Sequence, residues 1–229
     1  PLDRSERRKC AGGYHEWTKG DIIRKETEHL STERMFCAMA TAVLLPGKEK
    51  RVYGGHPWIF RSDIEKVTGD FAPGDVVTVT AKNGQFLAKA IYNPASQIAL
   101  RILSHKDEKI DADFIRGRVR RAVAYRRAFA DLHSCRLIFA ESDGLPAVIA
   151  DSFGPVISLQ CLALGMEQFK EAICDALEEE VHPQGIYERG DVPVRELEGL
   201  PQWCGVLRGE VPDRVKMQEN GVWFYVDVK

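Results

Sequence analysis

No two of the nineteen glycines in this chain are separated by a single residue, so G-x-G occurs nowhere in it. Sites for adenosine-containing cofactors usually need a Gly-rich strand-to-helix loop where backbone approaches the ligand, and that loop is missing. The phosphate-binding G-x-x-x-x-G-K-[ST] and the zinc motif H-E-x-x-H are absent as well; HEWTK at His15 lacks the second His. The six cysteines, at 10, 37, 135, 161, 174 and 204, form no C-x-x-C and no disulfide ladder, which favours a reduced, cytoplasmic chain. The longest apolar run, MFCAMATAVLL from Met35 to Leu45, is far shorter than the ~20 residues of a membrane span. Its small residues lie inside the run rather than after it, so it is no signal peptide either. Its second half, ATAVLL, reads as a first strand.

What the chain does have is a division of charge. Residues 1–138 carry 25 Lys and Arg against 17 Asp and Glu, and residues 139–229 carry 7 against 17. A basic half followed by an acidic half suggests that the first part meets a polyanion. At 229 residues, with 44% hydrophobic and 29% charged residues, one large or two small cored domains are possible, and a disordered chain is excluded.

Residues 1–39 are polar, of mixed charge and open with Pro; they read as a flank, disordered or foreign to the folded protein, with Met35 and Met39 as candidate initiators. From Ala40 the pattern changes. Residues 76–93 read as two strands joined at Asn83-Gly84, and Gln97 to Ser104 as another; with a helical turn at His56 to Ile64 they predict a small β unit over residues 40–106. A long helix is predicted from Asp111 to Leu132. Phe114, Ile115, Val119, Ala122, Val123, Tyr125, Phe129 and Leu132 share one half of its wheel; Arg116, Arg120 and Arg127 cluster on the other half, either solvated or tracking phosphates. Residues 107–229 then read as that helix and a mixed α/β domain. It has strands at CRLIF, AVIADSF, VISLQCLA, GIYER and GVLRGEV, a helix from Met166 to Val181, and a last hairpin turning at Asn220-Gly221. The predicted class is α+β. Glu178 to Glu180 read as the solvated end of a helix.

The stretch GGHPWIFR, Gly54 to Arg61, follows the basic run KEKR and splices aromatics to positive charge through a Gly-Gly hinge. It is either a turn that drops Trp58 and Phe60 into a core, or a surface that grips a ligand. Elsewhere the chemistry is thin. His133 and Cys135 lie on one face of an extended segment but have no third residue to orient them, and Asp143-Gly144 supplies turn chemistry. No catalytic residue and no metal ligand set is assigned.

Four stretches in order, LLPGKEKRVYGGHPWIF, YNPASQIALRIL, ESDGLPAVIADSFG and IYERGDVPVRELEGLP, resemble the RlmI-like class I methyltransferases, which modify a cytosine of large-subunit ribosomal RNA at its 5-carbon. The resemblance covers residues 40–229. It implies an N-terminal PUA domain, a small β-barrel that binds RNA, followed by a central α/β domain; the S-adenosylmethionine-binding Rossmann-like domain with the nucleophilic cysteine would come after Lys229. It therefore implies S-adenosylmethionine for the longer protein and no cofactor held by these residues. The implied partner is ribosomal RNA, with a second copy of the chain as a further one, and no membrane. Gly55, His56, Pro57 and Trp58 match the family's GHPW motif, and Lys48, Lys50 and Arg51 its basic approach, with Arg61 and Lys66 adding charge. The alternative is a stand-alone RNA-binding or adaptor protein without catalysis.

Overall fold

The structure, a computed structural model, describes residues 40–219 and 221–229. The flank expected over residues 1–39 lies outside them, as does Asn220 of the last expected turn. The first sheet is built from β1 (Thr41–Leu44), β2 (Trp58–Ile59), β3 (Ile64–Thr68), β4 (Val76–Thr80), β5 (Phe86–Tyr92) and β6 (Leu100–Ser104). Its strand order is β2-β6-β5-β4-β1-β3, with β1 parallel to β4 and every other pair antiparallel. The Asn83-Gly84 signal forms the expected hairpin: Ala81 N–H donates to Gln85 O, Gly84 takes the left-handed φ of 85°, and Asn83 Oδ1 accepts from Gln85 N–H. Register shifts in the β1–β3, β4–β5 and β5–β6 pairs bend the sheet around Ala42, Leu44, Val77, Val79 and Leu100, all buried.

The helical turn expected at His56 to Ile64 is reduced to three residues at the end of that range. The helix of this region is α1 (Glu49–Tyr53), and residues 56–64 hold β2 and one 3-10 turn, Arg61–Asp63. Pro57 explains the shift: it has no N–H to give a helix and biases His56 toward extended backbone, whereas EKRVY contains neither Pro nor Gly.

After β6 comes α2 (Ala112–Arg127), capped by Asp111, whose carboxylate accepts from Phe114 N–H at 3.0 Å. There follow β7 (Arg136–Phe139), β8 (Val148–Phe153), β9 (Val156–Cys161), α3 (Leu164–Glu167), α4 (Lys170–Val181), β10 (Gly185–Gly190), α5 (Val194–Leu197), β11 (Trp203–Gly209), β12 (Arg214–Glu219) and β13 (Val222–Asp227). The second sheet has the order β11-β10-β9-β8-β7, antiparallel except for β9 and β10; β12 and β13 pair separately. Ile115, Val119 and Val123 of α2 and Ile173 and Leu177 of α4 share one core with Leu137, Ile138, Ala150, Leu159 and Ile186 of the sheet.

Three helical expectations change. Helix α2 ends at Arg127 rather than Leu132, and Tyr125 and Phe129 stand 63% and 77% exposed. Half a wheel is wider than the stripe a sheet can cover, so its margin stays wet. The second helix is two, α3 and α4, separated by Gln168 and Phe169. Glu178 to Glu180 are not merely solvated: Arg208 reaches Glu178 at 3.3 Å, Arg120 reaches Glu179 at 2.7 Å and Arg127 reaches Glu180 at 3.2 Å. With Arg116 to Asp175 at 3.0 Å, the arginine face of α2 pairs with α4 and leaves no row for phosphates.

Candidate nucleic-acid interface

Asp63 organises the basic loop. Its side chain is buried and receives Lys48 Nζ at 2.7 Å and Arg51 at 3.9 Å, so part of the charge named in the sequence is neutralised internally. Arg51 also lies 5.0 Å over the Phe60 ring and donates to His56 Nε2 at 2.9 Å. On the other side of the ring, Nδ1 lies 3.1 Å from both the N–H and the carbonyl oxygen of Trp58, so the imidazole is held against the Trp58 backbone. Gly55, with φ of 79°, makes the left-handed step between Gly54 and His56 that any other residue takes at a cost.

Trp58 is tied to a distant part of the chain by its indole N–H. It is partly buried, and its indole N–H donates to Glu141 Oε1 at 2.7 Å, across to the 3-10 turn Ala140–Asp143 that follows β7. The charges left over are Lys50, Arg61 and Lys66. All three are exposed and none has a carboxylate within 4.0 Å among the described residues. Arg61 is oriented by Pro94 O at 3.3 Å, and Lys66 lies on the edge strand β3.

Beside this loop is a joint that sequence reasoning missed. Glu198, 3% exposed just after α5, accepts from Asn93 Nδ2 at 2.9 Å, Ser96 Oγ at 2.7 Å and Arg101 at 3.1 Å. Arg101 reaches Glu141 at 3.4 Å, the same carboxylate that holds Trp58. Burial pushes the Glu198 carboxyl up, but the Ser96 and Asn93 hydrogen bonds and the Arg101 charge outweigh it and leave it below the usual range. A second buried cluster anchors the segment from β10 to α5: Arg195 meets Glu167 at 2.8 Å and Glu188 at 3.3 Å, and Lys170 meets Glu188 at 2.8 Å. Trp58, Arg101, Glu141 and Glu198 come one from each of the four stretches quoted above, and their convergence is the signal that could have been read.

His133 and Cys135 form no dyad. The imidazole faces Gly154 O at 3.3 Å, and burial raises the Cys135 thiol. Burial pushes Cys174 up to about 12 and Cys161 higher still. At pH 8 a thiol reagent is expected to leave both buried cysteines unmodified until denaturant is added; rapid modification of the native chain would show that the helix–sheet core opens. Among the described residues no three His, Cys, Asp or Glu side chains gather to hold a metal, and no helix is long and apolar enough to cross a membrane.

Known proteins extend this picture. Residues 43–105 match the PUA-like domain family. The chain is 42% identical over 196 residues to ribosomal RNA large subunit methyltransferase I of Pseudoalteromonas atlantica, which takes in 83% of this chain and 50% of that protein. The protein of the same name in Vibrio campbellii is 44% identical over 193 residues, 82% of this chain and 49% of that one. A candidate SAM-dependent methyltransferase of Streptococcus mutans superposes with a TM-score of 0.67 at 18% identity, over 82% of this chain and 48% of that one, a likeness of fold. The chain spans about half the length of the curated relatives it matches. Over that half, the chain is similar to the ribosomal RNA large subunit methyltransferase I proteins.

Proposed function

We propose that these residues are the RNA-holding part of an rRNA methyltransferase that transfers a methyl group from S-adenosylmethionine to a cytosine 5-carbon. The observation that carries the reading is the set of exposed cations without carboxylate partners, Lys50, Arg61 and Lys66, on the module that matches the PUA-like domain family. Phosphates take these three charges, and Lys48 and Arg51, held by Asp63, shape the loop around them. The Glu198 joint then fixes the gripped RNA relative to the second sheet, and precise placement is what a methyl transfer needs from a binding module.

In this reading the methyl donor is held outside the described residues. The glycine at the passage from β9 to α3, Gly165, is already filled from the other module: an added Cβ would stand 2.7 Å from Gly74 O and 2.7 Å from Ile91 Cβ. That glycine serves close packing against Gly74 and Ile91.

The test is salt dependence. Three phosphate contacts on single-stranded RNA give a log–log slope of about −2.1 and a loss of about 20-fold between 50 and 200 mM salt. If all five cations of the loop bound phosphate, the slope would approach about −3.5. Fluorescence anisotropy with a labelled RNA distinguishes these, and a flat response would remove RNA from this surface.

A further inference from the structure

Helix α2 has three faces; the fold buries one, pairs the second with acids, and on the third uses Arg118 alone, which donates to Leu103 O at 3.1 Å. Ile115, Val119, Ala122 and Val123 enter the core, and Arg116, Arg120 and Arg127 meet the acids of α4. The third face carries Arg118, Arg121 and Tyr125, continued past the helix end by Phe129. Spacings of three and four residues bring such positions onto one side.

On that side the two rings lie exposed with centroids 5.2 Å apart and planes inclined by 50°. Next to them is a groove of about 440 Å³ lined by Arg121, Ala122, Tyr125, Arg126, Ser142 and Asp143. The one carboxylate in its wall is already taken, since Asp143 is held by Arg126 in a two-pronged pair at 2.5 and 2.8 Å. Arg118 and Arg121 have no carboxylate within 4.0 Å among the described residues. Burial first, and then the neighbouring Arg121 charge, lower the Arg118 pKa, with Glu108 offsetting part of this, and the Arg118 guanidinium donates to Leu103 O, which leaves Arg121 as the cation that faces the groove.

We propose that this groove is a second contact for single-stranded RNA, in which bases stack on Tyr125 and Phe129 and a phosphate lies on Arg121. The inference rests on the RNA-holding reading above. Continuity supports it, because Ser142 in the groove wall follows Glu141, the residue that holds Trp58 of the basic loop. Composition favours RNA over a protein partner. A protein interface centres on a dry apolar patch, whereas this wall offers one tyrosine, one alanine and otherwise polar or charged groups. Exposed aromatics beside unneutralised arginines are the usual platform for unpaired bases.

The probe is a fluorescein-labelled twelve-nucleotide single-stranded RNA of mixed sequence, titrated with the full chain at 50 mM salt. Tyr125→Ala with Phe129→Ala is expected to weaken binding by about tenfold or more with an unchanged salt slope, because rings carry no charge. With the groove occupied, four phosphate contacts give the parent chain a slope of about −2.8, and Arg121→Ala should bring it back to about −2.1. All three side chains are exposed, so the variants should fold, which circular dichroism checks. Crosslinking of a 5-bromouridine RNA to Tyr125 or Phe129 supports the groove. Unchanged affinity in the ring variant, with weakened binding by Lys50→Ala and Lys66→Ala, overturns the groove and leaves the RNA-holding reading standing. If the parent chain binds no RNA at all, the reading and the groove fall together. If the ring variant keeps its RNA affinity but loses self-association in sedimentation, the face belongs to a second copy of the chain and the inference is overturned.

Discussion

Glu198→Ala is expected to destabilise the chain by about 3–5 kcal/mol, the range for removing one partner of a buried, hydrogen-bonded ion pair. The substitution strips Arg101 of one of its two carboxylates, leaves Ser96 without its acceptor and reduces Asn93 to the backbone carbonyl of position 198, in a place that is nearly closed to water. Arg101 Nε has no partner even in the intact cluster, so this guanidinium depends on Glu198 and Glu141. Urea denaturation measures the loss, and a change below about 1 kcal/mol would mean that the joint is held by its apolar contacts instead. The folded-state pKa of Glu198 lies below its unfolded value, so its contribution is fully present above the unfolded carboxylate pKa and is lost as pH falls through the folded one. The parent chain should lose stability over that acidic window, and Glu198→Ala should lose less, having no such carboxylate to protonate. Replacing the charges together, Arg101→Met with Glu198→Leu, should recover part of the loss, since the cost lies in stranding one charge rather than in lacking the pair.

What was legible in the sequence was local. Asn83-Gly84 marks its hairpin because a short turn depends on its own residues, and Asp111 marks the start of α2 for the same reason. The GHPW loop was legible as a site, but not which of its charges are free, because Asp63 neutralises Lys48 and Arg51 only once the chain has folded back. The arginine row of α2 meets its acids 59 residues further on, and Asn93 meets Glu198 at a separation of 105. Periodicity contains no information about such pairings. The contrast between a basic and an acidic half, which pointed toward a polyanion, is in part this internal pairing: among the described residues, six arginines of the first half, Arg101, Arg116, Arg120, Arg126, Arg127 and Arg136, are matched by acids of the second. The same limit explains Tyr125 and Phe129, since a wheel shows which residues share a side and leaves open how much of that side a sheet will cover.

Lys50→Glu, Arg61→Glu and Lys66→Glu in one chain should weaken RNA binding by roughly 500-fold at 50 mM salt, which follows from extending a slope of about −2.1 down from 1 M. All three positions are exposed and outside any ion pair among the described residues, so the fold should tolerate the change. Reversing Lys48 and Arg51 instead would strand the buried Asp63 and disturb the loop, so a loss of binding there would be ambiguous. The triple variant separates charge from shape, and its residual salt slope should fall close to that of Arg121 alone, about −0.7, if the groove beside Tyr125 makes the second contact. Undiminished binding by a folded triple variant would place the RNA elsewhere. A large loss that high salt abolishes, with the same affinity for parent and variant near 1 M, is the signature expected when phosphates sit on these three side chains.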